Sequence, residues 1–338
     1  MIINELDVHQ LCRTRDNNVS LEGPKRLGYL SSSDSENNSA FSQDKLALRY
    51  LDFPDPVNID CLQGYDPNVK YGHFISKDTL LLRWILENEE TMQKFPSDFI
   101  GNNGVIKDLM TIKDYVYDWS LSAIKIRGKI ILNRVESTEK KTRIDKQSES
   151  VNKSTYAAFN FPNLITKSKS EQEGTLFYGV FHSKIGSHRI LHTGKLHYVE
   201  SAQELDKPFD EMKFVSIRKM HVLGNCPSSI QANNWWSLAT LSGIDTIVCA
   251  KCARDFTVAK IEKLRVDDLI DKHKQMIFVA SLDSILDHLK SIVTEENQYY
   301  DFHFNGKEKK FIGCLKMDLE DNLIPSWYID GQIPNGSC

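Results

Sequence analysis

Two short stretches carry side chains whose types and spacing could do chemistry. In HTGKLHY (192–198), strand alternation puts Lys195 and His197 on one face and Leu196 and Tyr198 on the other. In KFVSIRK (213–219), Ser216 and Arg218 share a face, and Val215 and Ile217 point away from it. Together these faces offer cations, an imidazole and a hydroxyl, with no carboxylate. Such a set can hold phosphate oxygens through charge-assisted hydrogen bonds. It is poorly suited to a hard divalent cation, which takes anionic oxygen ligands.

Other candidate motifs carry less. Cys249-Ala250-Lys251-Cys252 has C-x-x-C spacing, and His221 and Cys226 upstream would complete a four-ligand zinc set. However, IVCAKC reads as strand, where positions three apart face opposite ways, so the two sulfurs are expected to pack as small hydrophobes. Gly186-Ser187-His188 puts a serine beside a histidine, but neighbours on an extended chain diverge, and a turn is the expected result. Neither G-x-x-x-x-G-K-[ST] nor G-x-S-x-G occurs. Trp235-Trp236, on a predicted helix, is expected in the core.

The elements that position these residues follow from periodicity. Helices are expected at 78–93, where Asp78 would cap, and at 228–241, 261–273 and 281–294. Strands are expected at 120–132, 174–182, 189–199, 212–219, 244–251, 276–280 and 309–317. The polar run 31–39 and the proline-punctuated segment 49–67 read as irregular, and 136–150 as a loop or a solvated helix. Strands joined by loop-length connections, with the helices mostly later, indicate an α+β fold. One domain with a mixed, largely antiparallel central sheet flanked by helices is expected. It spans 46–330, after an N-terminal segment of 1–45 and before a tail of 331–338.

The 338 residues carry a net charge of −4, so any nucleic-acid binding must come from a local patch. The seven scattered cysteines do not read as a secreted disulfide framework, and the first ten residues do not read as a signal peptide. No run reaches the ~18 apolar residues of a membrane helix. An intracellular, reducing compartment is expected.

Several segments, in this order, resemble the decapping exoribonuclease family, whose members remove incomplete or aberrant 5′ caps from RNA. They are LALRYLDFP (46–54), QGYD (63–66), LLLRWILEN (80–88), DWSLSAIKIRGKIIL (118–132), SKIGSHRILHTGKLHY (183–198), FVSIRK (214–219), NNWWSLA (233–239) and IPSWYID (324–330). The resemblance implies a nuclease-like core in which carboxylates hold divalent ions that activate water and clamp the scissile phosphate.

The chain departs from that pattern at every acidic position. Where the family has Gly-aromatic-x-Phe-Glu, Gly-Glu-x-Asp and Glu-x-Lys, this chain has AFNFP (158–162), GKLH (194–197) and SIR (216–218). Pro162, Lys195, His197 and Ser216 stand for carboxylates, Arg218 for a lysine, Lys125 for an early arginine and Leu238 for a glutamine. Four carboxylates give −4; Pro, Lys, neutral His and Ser give +1. A lysine about 4 Å from a divalent ion opposes it by about 8 kcal/mol at an effective dielectric of about 20.

The expectation is a pseudoenzyme that needs no metal or other cofactor. Lys125, Lys195, Arg218 and His197, the last near its ordinary titration point, would attract RNA phosphates without cutting them. Loss of the whole acidic set is similar to an inactive germline member of the family. That likeness implies a nuclear role at piRNA-producing heterochromatin, with Rhino and Deadlock as partners. There the protein would shield nascent transcripts from cap-dependent processing, splicing and termination. Two alternatives remain open at this point: a residual metal-dependent 5′-end enzyme using Glu200 or Glu211, and an allosteric partner of a 5′→3′ exoribonuclease.

Overall fold

A computed structural model of the chain describes residues 2–10, 19–33, 41–72, 79–135, 142, 144–170, 175–222, 224, 226–316 and 324–332. Asp78 and residues 34–39 of the polar run therefore lie outside the described residues, as does most of the 331–338 tail.

Two sheets form the scaffold. The ten-stranded sheet runs β1 (Ile2–Asp7), β17 (Lys310–Leu315), β16 (Tyr299–Asn305), β7 (Trp119–Ile126), β8 (Lys129–Val135), β6 (Phe99–Asn102), β11 (His188–Lys195), β10 (Thr175–Ile185), β2 (Leu21–Ser33) and β3 (Phe41–Ser42). Its pairings are antiparallel except where β6 lies parallel to β8 and β11. The seven-stranded sheet runs β5 (Ile59–Asp60), β15 (Thr257–Arg265), β14 (Thr246–Cys252), β13 (Phe214–His221), β12 (Tyr198–Val199), β4 (Arg49–Leu51) and β9 (Thr166–Ser168). The expected mixed, largely antiparallel architecture is present, but it is divided between two sheets.

The helices are α1 (Thr79–Glu87), α2 (Glu89–Lys94), α3 (Asn103–Met110), α4 (Glu149–Leu164), α5 (Ser229–Ser242), α6 (Lys272–Ile292) and α7 (Ser326–Asp330). The largest core gathers residues of α3, α5 and α6 with one face of the ten-stranded sheet. On β11, Ile190 belongs to this core and Leu191 to a second core with Leu81, Trp84 and Ile85 of α1, as period-2 alternation requires. A third core joins Ala157 and Phe161 of α4 to Val215 and Ile217 of β13.

Several sequence expectations are corrected. Residues 120–132 are not one strand but the β7–β8 hairpin. Arg127 and Gly128 both take positive φ, +52° and +73°, as a tight turn matching strand twist requires. Residues 261–273 contain no helix at their start. Ile261 and Leu264 have helical spacing, yet β15 runs to Arg265 because it pairs with β14 along its length. Residues 276–280 are not a strand but part of α6, which Asp271 caps by accepting the Lys274 N–H at 2.8 Å. The N-terminal segment is not separate from the domain, since β1 pairs with β17 and β2 with β10. Helix α4, capped by Ser148, occupies a stretch whose weak apolar periodicity gave no helical signal.

Candidate functional site

The chain changes sheets within HTGKLHY. Strand β11 ends at Lys195, and β12 starts at Tyr198 in the other sheet. Leu196 between them is buried and anchors the crossover in the main core. This switch opens a cavity of about 860 Å³ where the two sheets meet. Its walls are the end of β11, the Ser216–Lys219 part of β13, Ala158, Phe159 and Pro162 of α4, and Trp235, Leu238 and Ser242 of α5.

The cavity brings together Pro162, Lys195, His197, Ser216, Arg218 and Leu238. Residues distant in the sequence thus line one space. Lys125 is not among them. It lies on β7, where its Nζ donates to the Thr294 carbonyl at 3.0 Å and sits 4.0 Å from Glu296. The expectation for Lys125 is therefore corrected: its side chain is tied to the segment before β16.

Two cations unforeseen from the sequence line the cavity as well, Arg134 and Lys219. Arg134 is held by buried Asp108, which also binds Lys107. Lys219 Nζ donates to Ser154 Oγ at 3.0 Å. Arg134 belongs to a strand that only the hairpin turn defines, and Lys219 points off the Ser216–Arg218 face, so simple alternation could not find either. Among the described residues, no aspartate or glutamate lines the cavity. Glu200 pairs instead with Lys263 at 2.7 Å, and Glu211 is likewise outside the lining.

Arg218 is the most unusual member of the set. Its side chain is partly buried in the cavity wall, and its Nε is enclosed without a hydrogen-bond partner. Burial lowers its pKa, and the one ionisable neighbour that offsets this is the Tyr198 phenol. Guanidinium remains charged at any ordinary pH, so the cavity wall holds a cation with no carboxylate beside it.

His197 departs from expectation. Burial, reinforced by Lys195 and Arg49, lowers its pKa to about 3. Its Nδ1 accepts the Phe177 backbone N–H at 3.4 Å. The ring is neutral at physiological pH and is no switch there, because cationic neighbours and burial act in the same direction.

A buried polar chain braces the wall. Ser183 Oγ meets His192 Nε2 at 2.8 Å, His192 Nδ1 meets Asn103 Oδ1 at 2.5 Å, and Asn103 Nδ2 donates to Ser242 Oγ at 2.8 Å. Gly194 is required beside it. A Cβ there would fall 2.2 Å from Asn103 Nδ2 and 2.9 Å from Ser242 Oγ.

On α4, Pro162 supplies no backbone N–H, so the helix cannot pair the Ala158 carbonyl in the usual way. The donor set does not fit a hard divalent ion, since an imidazole, hydroxyls, amides and four cations supply none of the anionic oxygens such an ion takes. Among the described residues, no three His, Cys, Asp or Glu side chains converge in a metal-holding group. The C-x-x-C sulfurs diverge as their strand predicts: Cys249 lies in the main core and Cys252 in the third.

Two mixed sheets flanked by helices, with a cavity where the sheets meet, make up the fold. Residues 22–329 match the model of the RAI1-like PD-(D/E)XK nuclease family, and the chain belongs to that family. Among solved structures, it is similar to Candida albicans Rai1 in complex with pU5-Mn2+, with a TM-score of 0.79 and 14% identity over 98% of both chains. Similarity to S. pombe Rai1 has a TM-score of 0.72 and 12% identity, over 93% of this chain and 99% of that one. K. lactis Dxo1 in complex with manganese gives 0.66 and 12%, over 93% and 98%. No curated protein matched the chain.

Proposed function

We propose that this chain is a catalytically inactive member of its family that holds RNA 5′ ends by their phosphates and serves as a nuclear RNA-processing scaffold. One observation carries the reading: the cavity where the two sheets meet is lined by Arg134, Lys195, Arg218 and Lys219 and, among the described residues, by no carboxylate. A cavity wall that carries cationic side chains and, among the described residues, no carboxylate favours an anionic guest such as a terminal phosphate. The N-terminus of α3 opens on the same space through Asn102 and Gly104, which adds a favourable dipole end.

The finer reading is a protein resembling Cutoff, the fly germline member that acts with Rhino and Deadlock at piRNA-producing loci. Its support is the replacement of the whole acidic set. Co-purification with Rhino and Deadlock from germline nuclei tests that part.

The biochemical part is tested with 5′-monophosphorylated RNA in EDTA. The wild type should bind, and K195E/R218E should bind at least about tenfold more weakly, since two phosphate contacts become repulsive. Equal affinity would defeat phosphate holding. Turnover of triphosphorylated, NAD-capped or monophosphorylated RNA in Mn²⁺ or Mg²⁺ would overturn the inactive reading.

A further inference from the structure

One edge of the seven-stranded sheet is open. Strand β15 pairs with β14 along its length, whereas β5 covers its other side at Thr257 and Val258 alone. Beyond these, among the described residues, Lys260–Arg265 have no second neighbouring strand. The chain reaches β5 through Pro54 and Pro56, neither of which carries an N–H for a ladder. The open stretch is about 20 Å long and presents a row of outward backbone N–H and C=O groups.

The side chains of this edge select the sign of what joins it. Lys260, Lys263 and Arg265 are exposed. Glu262, the one carboxylate of the stretch, is shared between Lys260 and Lys251 at 2.8 and 3.1 Å. Three cations and one acid leave the edge at a net +2. Ile261 and Leu264 are half-buried, one against the third core and the other against the largest, so each face of the edge still offers apolar area.

Where β15 ends, a recess of about 700 Å³ opens between Lys263–Arg265, the turn at Asp268–Ile270 and the start of α5. Asn233 lines it and is 5% exposed. Its Nδ2 donates to Asp114 at 2.9 Å, and its Oδ1 is buried with no partner. An enclosed acceptor of this kind is satisfied by a guest N–H.

We infer that the β15 edge docks an extended acidic peptide of a partner protein, which adds as a strand beside Lys260–Arg265 and ends in the recess at Asn233. Strand addition pairs the open backbone groups, and the neighbouring side chains give selectivity. Carboxylates on the added strand fall beside Lys260, Lys263 and Arg265, and aliphatic side chains extend the faces of Ile261 and Leu264. Lysines guard an edge against indiscriminate pairing, and this guard is one-sided: it repels basic strands and admits acidic ones. A second copy of the edge is disfavoured, because like charges would meet. Single-stranded RNA would meet the same cations, but it has no ladder of N–H and C=O groups to match a strand.

The test titrates the full chain into a fluorescein-labelled, C-terminally amidated peptide of alternating glutamate and valine and reads anisotropy. The comparisons are its lysine–valine counterpart, an acidic version with prolines in place of alternate valines, and 5′-hydroxyl oligouridylate. The acidic peptide should bind, and the lysine and proline peptides should bind at least about tenfold more weakly. Hydrogen exchange read by mass spectrometry should show new protection within Lys260–Arg265 only with the acidic peptide. K260E/K263E/R265E should reverse the preference between the acidic and lysine peptides, which loss of folding could not produce. No binding of the acidic peptide, or equal binding of its proline version, overturns the inference. So does oligouridylate that protects the same amides, since the edge would then be a nucleic-acid surface.

Discussion

Lys195 and Arg218 enter one cavity from two different sheets, Lys195 at the end of β11 and Arg218 from the middle of β13. Their meeting depends on the sheet switch at Leu196–His197. Strand β12 joins β13 through Tyr198↔Val215 and Val199↔Phe214, which sets Ser216 and Arg218 opposite the crossover. The cationic wall is thus a product of the junction between the sheets.

Arg218 is held at a cost to the fold. The guanidinium is partly enclosed, its Nε has lost hydration without a hydrogen-bond partner, and no carboxylate of the described cavity lining compensates it. Replacing it with methionine, which keeps apolar bulk, should leave stability unchanged or raise it by about 1 kcal/mol. Urea unfolding checks this. The same variant should lose any rise in melting temperature that inorganic phosphate gives the wild type.

Gly194 should tolerate no side chain. The Cβ of G194A would collide with Asn103 and Ser242, the two ends of a bridge packed against the cavity. A loss of about 1–3 kcal/mol is expected from overpacking a fixed polar network. Chemical denaturation would measure it, and an unchanged midpoint would mean that the bridge yields freely.

His192 makes stability depend on pH. Burial lowers its pKa from 6.5 to about 3 in the fold. Between those values the unfolded chain binds a proton that the folded chain refuses, so stability falls as pH drops through that window. The slope should approach about 1.4 kcal/mol per pH unit for this residue alone. His197 acts in the same direction. Asp98, with its pKa lowered from 3.8 to about 2, contributes only at lower pH, while Glu204 and Glu262, lowered from 4.5, add to the slope only toward the acid end, so unfolding measured above about pH 5.5 reports mainly the histidines. H192N should flatten the slope there.

Restoring the acids should restore metal binding. The combined variant P162E/K195E/H197D/S216E places four carboxylates around the cavity and returns a backbone N–H to α4. Millimolar Mn²⁺ should raise its melting temperature by about 5 °C, as saturating a site on the folded state requires, and leave the wild type unmoved. A wild type that responds equally would mean that metal is held by groups other than the four replaced.

The sequence by itself determined which side chains stand in GKLH (194–197) and SIR (216–218), and therefore the sign of the charge that these stretches carry. Local alternation and motif order were enough for Lys195, His197, Ser216 and Arg218, and strand geometry was enough to separate Cys249 from Cys252. Only the tertiary structure decided how these residues meet and in what state. Lys125 is drawn away by the Thr294 carbonyl, and Arg134 and Lys219 join the wall from a hairpin and from the other strand face. His197 is neutral because burial at the junction, reinforced by Lys195 and Arg49, lowers its pKa. Strand β15 and helix α6 also reversed their local signals, since pairing with β14 and burial of a helical face outweighed propensity. Covalent order fixes which groups are available, but their ionisation and partners come from contacts distant in sequence, which no local pattern encodes.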